Sequence, residues 1–196
     1  MFAPNGDLYF SDSNNNRVRK VDAATGLLST VAGTGAPGYS GDTGPATSAA
    51  LKFPAALALD RALDLFIADN GNHRVRLVDH RTGFIRTVVG TGLKGVPTDG
   101  PALSANLSAP AGLALDSSGR LYISDAANHV VLVLQPDGTL RRYAGTGSVG
   151  FSGDGGLASQ AQLSSPRGLG IDSAGNLLVA DRGNNRIRRV DLDTQT

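Results

Sequence analysis

The chain repeats itself at an almost constant interval of 56 residues. That spacing separates three aspartates and three prolines: Asp69, Asp125 and Asp181, and Pro54, Pro110 and Pro166. A fourth aspartate, Asp12, precedes Asp69 by 57 residues. A period of this length indicates one supersecondary unit copied along the chain, each copy burying its apolar faces against its neighbours. It also weakens the catalytic interpretation of any motif found in every copy, because a catalytic group is normally placed once.

The copy that begins at Pro110 predicts four short strands, at 113–116, 121–125, 130–134 and 140–144. Gly119 and the run Pro136-Asp137-Gly138 mark tight turns between them. A longer Gly-rich loop follows, at 145–165. An antiparallel meander of four strands repeated at this period favours a β-propeller, so the fold class is predicted as all-β.

The pattern predicts fourteen strands in about three and a half blades. The first copy lacks most of its first strand, and the last stops after its third. The predicted bounds are a partial blade at 1–51, full blades at 54–107 and 110–163, and a partial blade at 166–196. Third strands such as Arg74-Val75-Arg76 predict one solvent-exposed face. The segments 44–51 and 100–107 each predict one short helical turn.

Composition excludes several classes of function. The net charge is +1, so no global field favours nucleic acid or an anionic membrane. The chain has no cysteine, which rules out disulfides, thiolate metal sites and cysteine nucleophiles. No apolar run approaches the roughly 18 residues of a membrane helix, and residues 1–7 do not read as a signal peptide. The compartment stays open, and an extracytoplasmic one is compatible with a longer N-terminus.

The repeated string resembles the NHL repeat. The resemblance rests on Asn5-Gly6-Asp7-Leu8-Tyr9-Phe10-Ser11-Asp12 followed by Arg17-Val18-Arg19, and most closely on Pro166-Arg167-Gly168-Leu169, Gly175-Asn176-Leu177, Ala180-Asp181 and Arg186-Ile187-Arg188. It covers essentially the whole chain. It implies a propeller that usually has six blades, and a binding role far more often than catalysis. Six units would need about 336 residues, so the expectation is an open arc from a larger bacterial NHL protein.

Recurrent motifs favour structural interpretations. The GxGxxG pattern at 33–38, 90–95 and 145–150 leads into loops rather than a βαβ unit, which predicts inter-blade turns. The Ser-Gly-Asp segments at 40–42 and 152–154 lack the alternating ligands of an EF-hand. An asparagine follows each repeated aspartate three residues later, at Asn15, Asn72, Asn128 and Asn184. That recurrence predicts a hydrogen bond that fixes the loop.

Two groups of residues leave alternatives open. His73 and His129 share one repeat position, where Asn16 and Asn185 stand in the other copies. They are read as solvated loop residues, the alternative being ligands that approach a common axis. Five arginines lie near the C-terminus: Arg167, Arg182, Arg186, Arg188 and Arg189. They predict a solvated outer face, the alternative being a surface for single-stranded RNA.

The sequence therefore predicts a non-catalytic scaffold that presents long inter-blade loops on one face to a protein or carbohydrate ligand, with no cofactor. Self-association through open blade edges is also expected, whereas membrane and nucleic acid are not expected as partners. The alternatives are a lactonase-like or lyase-like propeller enzyme with an axial metal, or an RNA-binding module. The candidate binding residues are Tyr39, Asn70, Asn72, His73, Val96, Asn128, His129, Phe151, Arg182 and Asn185.

Overall fold

The computed structural model describes residues 1–196 as an all-β chain with sixteen strands. The strands are β1 Leu8–Asp12, β2 Arg17–Val21, β3 Leu28–Ala32, β4 Gly44–Pro45, β5 Pro54–Leu59, β6 Leu65–Asp69, β7 Arg74–Val78, β8 Phe84–Val89, β9 Gly100–Pro101, β10 Pro110–Leu115, β11 Leu121–Asp125, β12 Val130–Leu134, β13 Thr139–Ala144, β14 Pro166–Ile171, β15 Leu177–Asp181 and β16 Arg186–Val190. Seven three-residue 3₁₀ turns complete the regular structure. None has the length or apolarity needed to cross a membrane.

The strands form four antiparallel sheets, which are the propeller blades and confirm the predicted fold class. Blade 1 is β1-β2-β3, blade 2 is β5-β6-β7-β8, blade 3 is β10-β11-β12-β13 and blade 4 is β14-β15-β16. The first strands β5, β10 and β14 pack against one another, with β1 against β5, so they are the inner strands. The fourteen expected strands are all present.

Two further strands have only two residues each and lie within the long loops. Gly44–Pro45 pairs with Phe84–Ile85, and Gly100–Pro101 pairs with Thr139–Leu140, so each loop adds an outer strand to the blade that follows it. The predicted helical turns are shorter than expected, at Ala46–Ser48 and Ala102–Ser104. Pro45 and Pro101 are extended residues that precede these turns. The loop thus binds one blade to the next.

The apolar cores lie between blades rather than within them. Val18 of blade 1 packs with Ile67 of blade 2, and the same arrangement joins blades 2 and 3 and blades 3 and 4. Val18, Val75 and Val131 hold one repeat position and are fully buried, at 0% exposure. Ile187 holds that position in blade 4 and is 69% exposed. The outer face of blade 4 therefore presents an apolar surface that the other blades bury.

The expectation of a wet face on the third strands was wrong for β7, whereas Arg186 of β16 is exposed. Arg76 is 0% exposed although its sequence neighbours suggested a solvated side. The preceding loop covers that face, and the Arg76 guanidinium donates to the Ser40 carbonyl at 3.0 Å. The strand has outer neighbours in β8 and β4, so it is not the edge of its sheet. Period-2 alternation shows that two faces differ, but not that one of them meets water.

Candidate binding face at the loop end

The second-to-third strand turns and the long loops emerge at the same end of the propeller, as expected. Gly71, in the turn Asn70–Asn72, donates its N–H to the Lys52 carbonyl at 2.8 Å. Asn72 Nδ2 donates to the Gly38 carbonyl at 2.6 Å. We call this end, formed by the 3₁₀ turns after the second strands and by loops 33–53, 90–109 and 145–165, the loop end.

The repeated aspartate and asparagine form one hydrogen-bonded unit at each of the three contacts between neighbouring blades. We call these contacts the blade junctions. Asp125 accepts the Ser108 N–H at 2.9 Å and the Asn128 amide at 2.7 Å, and that amide also donates to the Gly95 carbonyl at 2.7 Å. The same contacts recur around Asp69 and around Asp181. This confirms the predicted hydrogen bond between aspartate and asparagine, and it places Asn72 and Asn128 beneath the loops.

The electrostatic surroundings of these buried aspartates differ between blades. Arg76 Nη1 lies 3.6 Å from the Asp69 carboxylate, and Arg188 Nη1 lies 3.9 Å from that of Asp181. Blade 3 has Leu132 at this strand position, so Asp125 has no cation beside it. Burial raises the pKa of Asp125 to about 7, against the hydrogen bonds from Asn128 and Ser108, which lower it. The raised pKa arises from burial between blades 2 and 3, since Asp125 is 0% exposed.

In blades 1 to 3, the residue after the 3₁₀ turn that follows the second strand joins that blade to the next. Asn16, His73, His129 and Asn185 are all left-handed, with φ between 51° and 56°. Asn16 Oδ1 accepts the Phe53 N–H at 3.0 Å, His73 Nδ1 accepts that of Ala109 at 3.3 Å, and His129 Nδ1 accepts that of Ser165 at 3.0 Å. His73 and His129, interpreted as solvated loop residues, are thus half-buried, and each accepts a hydrogen bond from the next loop. Either asparagine or histidine can occupy this position, because each tolerates the left-handed region and offers a hydrogen-bond acceptor.

A neutral imidazole fits this role. Burial lowers the pKa of His73, and the charges of Lys94, Lys52 and Arg74 lower it further. Nδ1 can then accept the hydrogen bond from Ala109 while Nε2 carries the ring proton. No three residues among the His and Asp side chains of the chain converge as metal ligands. Asn185, the fourth member of the series, is exposed at the end of the last blade.

Two of the candidate aromatic residues rest on arginines of the third strands. The Tyr39 ring lies 3.6 Å from the Arg74 guanidinium carbon and 4.9 Å from that of Arg76. Tyr39 also donates its hydroxyl to Asp42 at 2.8 Å. Phe151 lies in the same way on Arg186, at 4.0 Å, and on Arg188, which pairs with Asp154. Cation–π contacts of this kind hold the rings in place, and each ring keeps about 42–43% of its surface exposed.

Val96 occupies the equivalent loop position between blades 2 and 3, without an arginine beneath it. Val130 and Leu132 replace the two arginines in that blade. Val96 is 76% exposed. The structure therefore distributes the candidate residues over the loop end in two layers. Tyr39, Val96, Phe151, Arg182 and Asn185 reach the surface, whereas His73 and His129 are half-buried in the junctions.

The arginines near the C-terminus do not form the single solvated outer face that was expected. Arg167 lies on the inner strand β14, Arg182 lies in a 3₁₀ turn at the loop end, and Arg188 is covered by the loop of its own blade. These arginines are separated because they lie on successive strands and turns of one blade. Within about 20 residues the chain passes from the inner strand to the outer half of the blade.

A depression of about 250 Å³ opens among the inner strands at the loop end. Its walls include Phe53, Asn70, Ala111, Ala126 and Arg167. Asn70 was expected at the binding face, and its amide donates to the Pro110 carbonyl at 2.9 Å. Sequence reasoning missed Phe53, and it grouped Arg167 with the other C-terminal arginines rather than with Phe53 and Asn70. The positions of Phe53 and Arg167, directly before Pro54 and directly after Pro166, would have placed them beside the inner strands.

The NHL repeat family model matches the chain at residues 51–76, 107–134 and 163–190. The chain is 32% identical over 96% of its length to protein SUPPRESSOR OF QUENCHING 1, chloroplastic, from Arabidopsis thaliana. It is 31% identical over 67% of its length to NHL repeat-containing protein 2 from Gallus gallus. The matched regions are only 18% and 19% of those proteins.

Solved structures show the same fold at lower identity. An auxiliary nutrient binding protein from Bacteroides thetaiotaomicron superposes with a TM-score of 0.69 and 22% identity, over 95% of this chain and 45% of that one. Virginiamycin B lyase from Staphylococcus aureus superposes with a TM-score of 0.60 and 15% identity, over 99% of this chain and 52% of that one. The chain thus spans about half of each of these propellers. One of the two is described as a binding protein and the other as a lyase.

Proposed function

Because the chain belongs to the NHL-repeat proteins, we propose that it is a non-catalytic binding scaffold whose loop end receives a protein or carbohydrate ligand. The proposal locates the binding surface on the exposed members of the candidate set, Tyr39, Val96, Phe151 and Arg182. Long loops carried on a rigid repeat are a common way to present a binding surface.

One observation supports the proposal most strongly. The polar groups that resemble catalytic residues already accept hydrogen bonds from the scaffold itself. Asp69, Asp125 and Asp181 are buried and accept hydrogen bonds from their own loops. His73 and His129 use Nδ1 to join neighbouring blades. A general base must lie within hydrogen-bond reach of the proton it removes. These groups instead reach backbone N–H groups of the scaffold.

The surface that remains is suited to contact. Tyr39 and Phe151 are large side chains held by arginines and loop aspartates, so little rotamer entropy is lost when a partner covers them. Arg182 is exposed at the same end. Aromatic residues and arginine are the types that dominate protein interfaces.

The enzyme alternative rests on superpositions such as that with the lyase, at an identity that shows only the fold. It requires a divalent cation held through His73 or His129. Metal analysis of the purified chain tests it directly, with His73→Asn as the matched variant. Stoichiometric metal that is lost in the variant would overturn the scaffold proposal.

The binding proposal is tested with a glycan array and a displayed peptide library, followed by mapping of any selected ligand. We expect Tyr39→Ala and Val96→Asp to weaken binding about tenfold or more, since each alters a central contact. Ser118→Ala, at the opposite end of the propeller, serves as the control. Ligands whose affinity responds to the control variant but not to the loop-end variants would contradict the proposal. Affinity that falls steeply with salt and requires single-stranded RNA would favour the RNA alternative.

A further inference from the structure

We propose that the depression among the inner strands is a separate site for a small carboxylate that carries an apolar body. It goes beyond the loop-end binding surface, because it concerns an open small-molecule depression with its own cation. Its volume of about 250 Å³ lies near the lower limit of small-molecule pockets. That size suits an acid of roughly ten non-hydrogen atoms.

Arg167 supplies the charge. It occupies the position after the repeated proline, where blades 2 and 3 have Ala55 and Ala111. Its side chain is exposed and forms no hydrogen bond or ion pair within the chain, whereas arginines such as Arg17, Arg74 and Arg188 are paired with loop carbonyls or aspartates. No Asp or Glu lines the depression to neutralise it. A free guanidinium presents two parallel N–H groups that match the two oxygens of a carboxylate.

The backbone that carries Arg167 is fixed. The Ser124 hydroxyl donates to the Arg167 carbonyl at 2.6 Å and accepts the Gly112 N–H at 2.7 Å. A Cβ on Gly112 would lie 1.8 Å from that carbonyl oxygen, so glycine alone permits this approach of β10 to β14. A site whose charged group stands on a rigid strand loses less entropy on binding than one on a loop.

Apart from Asn70, whose amide donates to the Pro110 carbonyl, the remaining walls are apolar and small. Ala55, Ala111 and Ala126 leave the space open, and Phe53 stands at the rim with 49% of its surface exposed. Phe53 has a left-handed backbone, with φ of 47°, and Asn16 holds its N–H at 3.0 Å. A bulky residue in that strained conformation is uncommon. The arrangement places one cation against an apolar lining, which selects an acid with a hydrophobic body over a fully polar anion.

The test is a titration of the ¹⁵N-labelled chain with phenylacetate, followed by NMR, with the neutral isostere phenylacetamide as the matched ligand. We expect saturable shifts at the amides of Gly168, Ala111 and Ala126, with a dissociation constant on the order of 1 mM. Phenylacetamide should bind about tenfold more weakly or worse, since it cannot form the charge-assisted pair.

Variants assign the effect to Arg167. Arg167→Gln should weaken phenylacetate binding about tenfold or more, and Arg167→Lys should weaken it a few-fold because the charge remains without the fork. Arg141→Gln removes an exposed arginine from the outer strand β13 and should leave binding unchanged. Equal shifts with acid and amide, equal affinity in Arg167→Gln, or no saturation would each overturn the proposal. None of these outcomes bears on the glycan and peptide ligands of the loop end.

Discussion

Arg76 and Asp69 form a wholly buried ion pair, with Nη1 3.6 Å from Oδ2 and both side chains at 0% exposure. Blade 3 repeats the aspartate as Asp125 but replaces the arginine with Leu132. One blade junction thus contains a buried carboxylate without a cation beside it. Removing one partner of a buried pair leaves an uncompensated charge, which is costly unless the group takes up a proton.

The first prediction is a stability that falls as pH rises from 5 to 8. Asp125 has a folded pKa of about 7, above its ordinary value of 3.8. Between these values the folded state holds a proton that the unfolded state has released, so raising the pH destabilises the fold. We expect a loss of roughly 1–3 kcal/mol, measured by urea unfolding at both pH values. Asp125→Asn should reduce the slope without abolishing it, since burial also raises the pKa of Asp69. An unchanged free energy of unfolding in the native chain would contradict the assignment.

The second prediction concerns the acceptor that joins blades 2 and 3. His73→Asn should change stability by less than about 0.5 kcal/mol, because asparagine serves at the same position in Asn16 and accepts the corresponding N–H. His73→Ala removes the acceptor and should cost about 1–3 kcal/mol. Thermal and urea unfolding of both variants provide the comparison. Equal destabilisation by both substitutions would show that imidazole itself is required.

The third prediction concerns Leu63, which has a left-handed backbone with φ of 68°. The other copies place Gly6, Gly119 and Gly175 in this turn, with φ between 80° and 88°. A side chain in this region costs about 1–2 kcal/mol, partly offset by the greater freedom of glycine in the unfolded chain. Leu63→Gly should therefore stabilise the protein by about 0.5–1 kcal/mol. Gly119→Leu should have the opposite effect, and a shift of the same sign in both variants would refute the explanation.

The fourth prediction concerns the exposed face of blade 4. Ile187 is 69% exposed where Val18, Val75 and Val131 are fully buried. We expect the isolated chain to self-associate with rising concentration, since an apolar surface of this kind is stabilised by burial. Light scattering on a sizing column measures the mass. Ile187→Lys should move the distribution toward monomer, whereas Arg141→Lys should not. A chain that stays monomeric at every concentration would disprove this expectation.

Most of the fold could be predicted because its determinants are local. Turns such as Pro136-Asp137-Gly138 and short apolar runs such as Leu121–Asp125 fix where strands begin and end. The shared repeat then implies that each copy has the same meander. The Asp–Asn unit could be predicted for the same reason, since its two members lie three residues apart.

The candidate site was only partly predictable because its contacts join different blades. Val96 and Arg182 lie at the loop end as expected, and the loops do emerge there. His73 looked like a free loop residue because its partner, Ala109, lies 36 residues further along the chain. Arg76 looked solvated because the loop that covers it belongs to the preceding connection.

The sequence by itself determined the repeat, the strands, the turns and the end of the propeller at which the loops lie. Each follows from backbone preferences and hydrophobic periods within a few residues. Only the tertiary structure decided which polar side chains are buried, that two histidines join blades, and that Arg167 stands free beside an apolar depression. The physical reason is that burial and hydrogen bonding in a propeller depend on the neighbouring blade, whose residues lie about 35–45 positions away in the chain.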